Sequence, residues 1–237
     1  MLIPVSQLRF LWGVKPSGVL HVGAHDGEEL SAYENAGWTP VVWVEALPDK
    51  AAALQAKLSS RQNHAVLSAV VWDVDGHTME MKRTNNGQSS SVFAMGIHQT
   101  EHPDITVVSR LSLESSRLDT LLSKIDHRFN YLSLDIQGAE LHALRGLGNR
   151  MDGVRWIYTE INTKPVYVGA PLVSELDSYL AGYGFMRVDT VMTNHGWGDA
   201  LYVHRDTLPR FVSTRRFARR LLARLGRSRA AQSLMRT

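Results

Sequence analysis

The chain has 237 residues, 44% of them hydrophobic, which suits one α/β domain with a short extension. It contains no cysteine, excluding disulfides, thiol nucleophiles and thiolate-held zinc, and no apolar run near the ~18–20 residues of a membrane span. The net charge of +3 hides an asymmetry: Arg210 to Thr237 holds nine arginines and no acid, leaving 17 basic against 23 acidic residues elsewhere, a body charge of −6 that gives no basic-patch argument for nucleic acid there.

Residues Met1–Gln7 lack the charged start and long apolar core of a signal peptide, so a cytoplasmic location is expected. Val5–Trp12 reads as a lead-in helix within residues 1–13. A domain over residues 14–207 then begins with a strand, Gly18–Val22, running into Gly23-Ala24-His25-Asp26-Gly27, where two glycines let the backbone turn sharply beside a ligand. A helix, Glu28–Ala36, is stopped by Gly37 and Pro40, with Asp26, Glu28 and Glu29 near its positive end. The strand Val41–Glu45 ends in a carboxylate placed to accept hydrogen bonds from two ribose hydroxyls. Strand, glycine turn, helix, strand and acid make the front half of a nucleoside-binding α/β domain.

The spacing chooses among ligands. A dinucleotide site shows G-x-G-x-x-G facing a pyrophosphate, whereas this turn is Gly23-x-x-x-Gly27 and carries His25 and Asp26. Negative charge there suits a ligand with a cationic or zwitterionic end, such as S-adenosylmethionine (SAM), and makes a nicotinamide-dependent oxidoreductase the poorer reading. A tight structural βα turn is the alternative.

Pro48 opens a helix to about Ser59, and Ala65–Trp72 reads as a third strand. Asp75-Gly76 signals a turn, and the alternation in Thr78–Lys82 predicts a hairpin partner for that strand. Thr84–Ser91 is polar and small; composition alone makes it a solvated linker, while beside a cleft it would offer hydroxyls. There follow strand Tyr131–Asp135, helix Gly138–Leu147, strand Trp156–Ile161 and helix Leu172–Ala181. Phe185–Val191 and Ala200–His204 close the domain as a strand pair around Asn194–Gly198. Strands alternating with helices imply a parallel sheet, and the closing hairpin adds one antiparallel strand.

Ligands of such sheets bind beyond the C-terminal strand ends. Asp26, Glu45, Asp135, Gln137, Glu160 and Asn162 fall there, with Asp199 beside the His195–Trp197 turn. Glu140, in the first turn of its helix, either complements the dipole or meets a ligand. Glu160, near the end of a buried strand, must be paired or have its pKa raised, so it is either catalytic or structural. His21, His64 and His98 show no ligand spacing and read as structural.

These segments together resemble the FkbM family of SAM-dependent methyltransferases. The matching pieces are Val19–Gly27, Trp43–Ala46, Gly87–Ser91, Leu118–Leu122, Leu134–Glu140 and His195–Leu201, in the family's order, over roughly Val14 to His204. The resemblance implies a class I (Rossmann-like) α/β fold. Its seven-stranded, mostly parallel sheet has order 3-2-1-4-5-7-6, one antiparallel strand and helices on both faces. It also implies that Gly23, Ala24, His25, Asp26 and Gly27 line the methionine side of SAM. Glu45 and Ala46 would meet the ribose, Ala69 and Val70 the adenine, and Asp135 would lie near the transferable methyl. The acceptor would lie among Ser89, Ser90, Ser91, Gln137, Glu160, Asn162, Tyr167, Trp197 and Asp199. Position 137 is often Glu in relatives, so Gln137 departs from the pattern.

Methyl transfer to an alcohol needs one proton removed, and a positioned base contributes ~10²–10⁴-fold. His195, Asp135 and Glu160 are the candidates; alternatively Asp135 and Glu160 hold Mg²⁺, which lowers the acceptor's pKa. The expected activity is O-methylation of a sugar, glycoconjugate or polyketide-type hydroxyl. A catalytically silent SAM-fold scaffold docked through its tail is the class alternative.

In the tail, 208–237, Phe217, Leu221, Leu222 and Leu225 fall on one side of a helical wheel, opposite Arg215, Arg216, Arg219, Arg220, Arg224 and Arg227. The region Arg215–Arg229 suits a helix lying on an anionic membrane surface, and equally one docking its apolar stripe on the body. Nucleic acid is not an expected partner.

Overall fold

A computed structural model describes residues 1–125 and 127–208. Met1–His204 make up one unit; of the second, Arg205–Thr237, only the 3-10 turn Arg205–Thr207 and Leu208 are described. The amphipathic helix expected around Phe217–Leu225 lies outside the described residues. Among the described residues no helix is long and apolar enough to cross a membrane.

Helix α1 (Val5–Trp12) forms where its pattern predicts, burying Val5 and Leu8. Then come β1 (Val19–Val22), α2 (Leu30–Ala36), β2 (Val41–Glu45), α3 (Pro48–Leu58) and β3 (His64–Ser68). The middle of the chain forms β4 (Val70–Val71), β5 (Thr78–Thr84), β6 (Ala94–Met95), the turn α4 (His98–Glu101), β7 (Val107–Ser116) and α5 (Leu118–Leu121). Next are β8 (Tyr131–Leu134), α6 (Glu140–Gly146), β9 (Trp156–Asn162) and β10 (Tyr167–Val168). Helix α7 (Val173–Gly182) leads to the hairpin β11 (Phe185–Met192) and β12 (Trp197–His204).

The main sheet runs β3-β2-β1-β8-β9-β12-β11, the expected order 3-2-1-4-5-7-6, with β12 antiparallel to both neighbours and the other pairings parallel. Every residue of β1, β2, β8 and β9 is buried, as sheets covered on both faces require. Four parallel strands therefore end on one rim, delivering Gly23, Glu45, Asp135 and Glu160 to it.

The third strand differs from its sequence reading. It breaks at Ala69: His64–Ser68 pair with β2, while Val70 and Val71 pair with β7. Nor do Thr78–Thr84 fold back on that strand. They pair antiparallel with β7, a ten-residue strand absent from the expectation. Its pattern is weak because its alternating residues face solvent and only Ser115 is buried. A two-stranded ribbon of β6 and β10 sets Tyr167 opposite Met95.

Candidate active site

Two clefts meet on the rim, sharing Gly23, His25, Gln88, Asp135 and Gln137. The first is walled by Glu45, Ala46, Leu47, Ala69 and Val70, with Met81, Val92, Ile136 and Ala139 adding apolar surface. The second is walled by acids: Glu28, Glu29, Asp135, Glu160 and Asp199.

The turn after β1 is built by backbone restraint. Gly23 and Ala24 both donate to the Val44 carbonyl, at 2.9 and 3.0 Å. His25 is held at φ +43°, a left-handed conformation that a non-glycine residue adopts only when its surroundings impose it. Glu45 imposes it here: its two carboxylate oxygens accept the N–H groups of His25 at 2.7 Å and Leu47 at 2.8 Å. Each oxygen retains a lone pair, and the residue borders the first cleft. His25 borders both clefts; its Nδ1 faces Glu28 at 2.7 Å, and its Nε2 is buried beside Gly87 with no protein partner.

The other turn residues behave differently. Ala24, Asp26 and Gly27 border neither cleft. Asp26 points outward, where Lys50 holds it at 2.9 Å and its carboxyl stays below the usual range. Gly27 is packed against α3: an added Cβ would press on Leu54 at 2.7 Å.

The segment 84–91 is not a solvated linker. Asn86 binds Ser89 in both directions (Nδ2 to Oγ 3.0 Å, Ser89 N–H to Oδ1 3.2 Å), and Ser90 Oγ donates to Gly87 O at 2.7 Å. Backbone bonds in both directions between Lys82 and Ser91 lock the loop to β5. Ser90 borders the first cleft and Ser89 the second. Ser91 borders neither and donates its hydroxyl to the Gln137 carbonyl at 2.7 Å.

Beyond β8 the acids converge. Asp135 is exposed at the junction of the clefts, and desolvation by their walls, with the Asp199 charge, raises its pKa to about 6. Glu160, across β9, is pushed well up by burial and then by the charges of Asp135, Glu140 and Asp199. Between them lies Gln137 at φ +55°, donating from Nε2 to Asp135 Oδ1 at 2.6 Å and to Glu160 Oε2 at 2.8 Å. The Tyr167 hydroxyl donates to Gln137 Oε1. Gln137 thus joins two protein carboxylates rather than waiting for substrate. Asn162 borders neither cleft and donates to Glu160 Oε1 at 3.3 Å. Asp199 accepts the Tyr158 hydroxyl and the Leu2 N–H, the latter at 2.5 Å. Trp197 borders the second cleft.

His195 does not reach this group. It borders neither cleft: its Nδ1 faces Glu101 at 3.1 Å, and its ring lies 4.9 Å from that of His102, which borders the second cleft. The pair Asp135–Glu160 does not fit Mg²⁺ either, because N–H donors of Gln137 occupy the space between the carboxylates. Among the described residues only His25, Asp26 and Glu28 group as potential ligands, and Asp26 is neutralised by Lys50.

Several wall residues carried no sequence signal. Met81 reaches the first cleft from β5 and Val92 from the end of the serine loop, and Leu2 and Tyr158 reach the second through Asp199. Glu140 turns out to be a support: Oε1 accepts the N–H groups of Ile136 at 3.0 Å and Gly138 at 3.2 Å, fixing the loop on either side of Gln137. Burial raises its pKa to about 7 despite those bonds. The unfolded chain therefore ionises first as pH rises, and Glu140 withdraws stability from the fold between about pH 4.5 and about 7. Glu140→Gln keeps the acceptor oxygen and removes the titration. It should match the wild type near pH 4 and gain on the order of 2–3 kcal/mol over it at pH 8, read by urea denaturation at both pH values.

Over residues 21–186 the chain matches the model of the methyltransferase FkbM domain. Comparison with curated proteins gives no match. Similar solved structures include the ribosomal protein L11 methylase of Lactobacillus delbrueckii subsp. bulgaricus, at 12% identity and TM-score 0.47, covering 84% of this chain and 78% of that one. The magnesium protoporphyrin IX methyltransferase of Synechocystis PCC 6803, with bound SAM, has 10% identity and TM-score 0.48, covering 84% and 76%. Fibrillarin of Aeropyrum pernix, with natively bound S-adenosyl-L-methionine, has 11% identity and TM-score 0.48, covering 78% and 66%.

Proposed function

The chain belongs to the FkbM methyltransferase family, and on that premise we propose that it is a SAM-dependent O-methyltransferase acting on a hydroxyl of a sugar, glycoconjugate or polyketide-type product. The observation that carries this reading is the meeting of the two clefts at Asp135. One sets Glu45 among apolar side chains; the other gathers five carboxyl groups.

The first cleft fits the cofactor. Glu45 keeps free lone pairs for ribose hydroxyls, and Ala69, Val70 and Ile136 offer apolar contact for a base. Bound SAM supplies an activated methyl: the acceptor oxygen forms the new C–O bond while the C–S pair leaves to sulfur. What the chain must add is alignment and the handling of one proton. Asp135 is the base, placed where the clefts join and with a pKa near the working range, and it takes the acceptor's O–H proton. The carboxylates, Ser89 and Tyr167 around the second cleft accept or donate hydrogen bonds as a polyhydroxyl acceptor requires.

Calorimetry of the full chain with SAM tests the premise, and absence of binding would sink the enzyme reading. Mass spectrometry of cell extract incubated with labelled SAM then identifies the acceptor. With it in hand, Asp135→Asn should lower turnover ~10²–10⁴-fold with SAM affinity retained, and His195→Ala should turn over as the wild type does. Full activity in Asp135→Asn would remove Asp135 as the base.

A further inference from the structure

We infer that Gln137 is a positioning residue: its side-chain amide, fixed by Tyr167, holds Asp135 and Glu160 in place as an unlike pair, one carboxylate to take the acceptor's proton and one carboxylic acid. This rests on the methyl-transfer reading above.

The geometry is over-determined. A left-handed glutamine costs ~1–2 kcal/mol, so φ +55° persists only because neighbours enforce it. Ser91 holds the Gln137 carbonyl, Glu140 holds the N–H groups of Ile136 and Gly138, and Tyr167 holds Oε1. The amide's orientation follows from its partners. Turned over, it would set its oxygen against the Asp135 carboxylate. Both Nε2 hydrogens are engaged, one by Asp135 and one by Glu160. A carboxyl group at this position could donate only one hydrogen, and only when protonated.

The surroundings explain why two donors are needed. Glu29 and Asp199 act on Asp135 from α2's approach and from β12, with the Met1 ammonium opposing them. Glu140 and Asp199 act on Glu160, whose Oε1 faces the Asn162 amide. Glu28, Tyr158, His21, His25 and His102 border the same cleft. Among so many acids Asp135 and Glu160 cannot both ionise at low cost. The more enclosed Glu160 keeps its proton, and the Gln137 N–H stabilises the charge on Asp135, the group open to the cleft. During transfer the acceptor's proton passes to Asp135, and Glu160 retains its own.

Tyr167 makes the clamp part of the acceptor wall. It borders the second cleft and is paired through β10 to β6, which follows directly on the serine loop.

The test reads the carboxyl groups themselves. Full-length protein labelled with ¹³C at Asp and Glu carboxyl carbons is titrated by NMR, with Asp135→Asn to assign the resonance, and each protein is also titrated with SAM by calorimetry. In the wild type Asp135 should titrate near its raised value of about 6. In Gln137→Met the midpoint should move up by ~1–2 units, the size expected for losing one charge-assisted hydrogen bond. Tyr167→Phe, which keeps the amide but frees it to rotate, should move the midpoint in the same direction by less. Gln137→Glu should raise it too, because a third carboxyl replaces a donor. An Asp135 midpoint unmoved in Gln137→Met, or in Tyr167→Phe should Gln137→Met not fold, overturns the clamp. SAM binding alongside that result leaves the methyltransferase reading standing. Failure of the wild type to bind SAM overturns that reading and the clamp's catalytic role with it.

Discussion

Gly23→Ala should cost more than ~3 kcal/mol of stability, or prevent folding, and abolish SAM binding. Two effects combine. Gly23 has φ +89°, which an alanine adopts only under strain. More importantly, an added Cβ would overlap the backbone carbonyl oxygen of Asp135. Backbone cannot swing aside as a side chain can. Relief requires β1 and β8 to part at their C-terminal ends, where Asp135 N–H donates to Val22 O at 3.0 Å and Gly23 N–H to Val44 O at 2.9 Å. That is the point at which the clefts join. Gly13→Ala isolates the conformational part. Gly13 has φ +67° with nothing within 4 Å of an added Cβ, so this variant should lose only ~1–2 kcal/mol. Chemical denaturation of the two variants beside the wild type makes the comparison. Equal losses would show that contact with Asp135 contributes nothing.

Glu45→Ala should weaken SAM binding ~10²–10⁴-fold, measured by calorimetry. The estimate follows from two hydrogen bonds to a charged group, each worth ~1.5–3 kcal/mol. A second consequence comes only from the structure. Glu45 also accepts the N–H groups of His25 and Leu47, so the alanine variant leaves both donors without their partner and lets the His25 turn relax. Stability should fall by ~1–3 kcal/mol alongside affinity. Glu45→Gln retains an acceptor oxygen for one of the two N–H groups and should fall between. Unchanged affinity in Glu45→Ala would remove the carboxylate from the cofactor site.

The sequence reading had Glu45 acting on a ligand alone. The difference is instructive, because it recurs. Asp26, counted with the turn, faces Lys50 instead; Ser91, counted with the acceptor, holds a main-chain carbonyl. His195 stood out because imidazole titrates near neutrality, yet its hairpin carries it to Glu101. In each case residue type and rim location were legible, while the direction of the side chain was not.

Local pattern was sufficient for the sheet. Apolar runs ending at glycine or acid mark β1, β2, β8 and β9, and parallel pairing then forces their ends onto one rim, so Gly23, Glu45, Asp135 and Glu160 gather whatever the loops do. The strand β7 escaped because burial, the source of the periodic signal, is nearly absent from it. Gln137 shows the limit most clearly. Its partners Glu160, Tyr167 and Ser91 lie 23, 30 and 46 residues away in sequence. Which of many polar residues an amide meets at such separations depends on how loops close over the sheet, and no periodicity encodes that. The chain's order of elements thus sets where its chemistry gathers. Only the packing of the serine loop, β6 and β10 onto the rim decides which side chains those groups meet there.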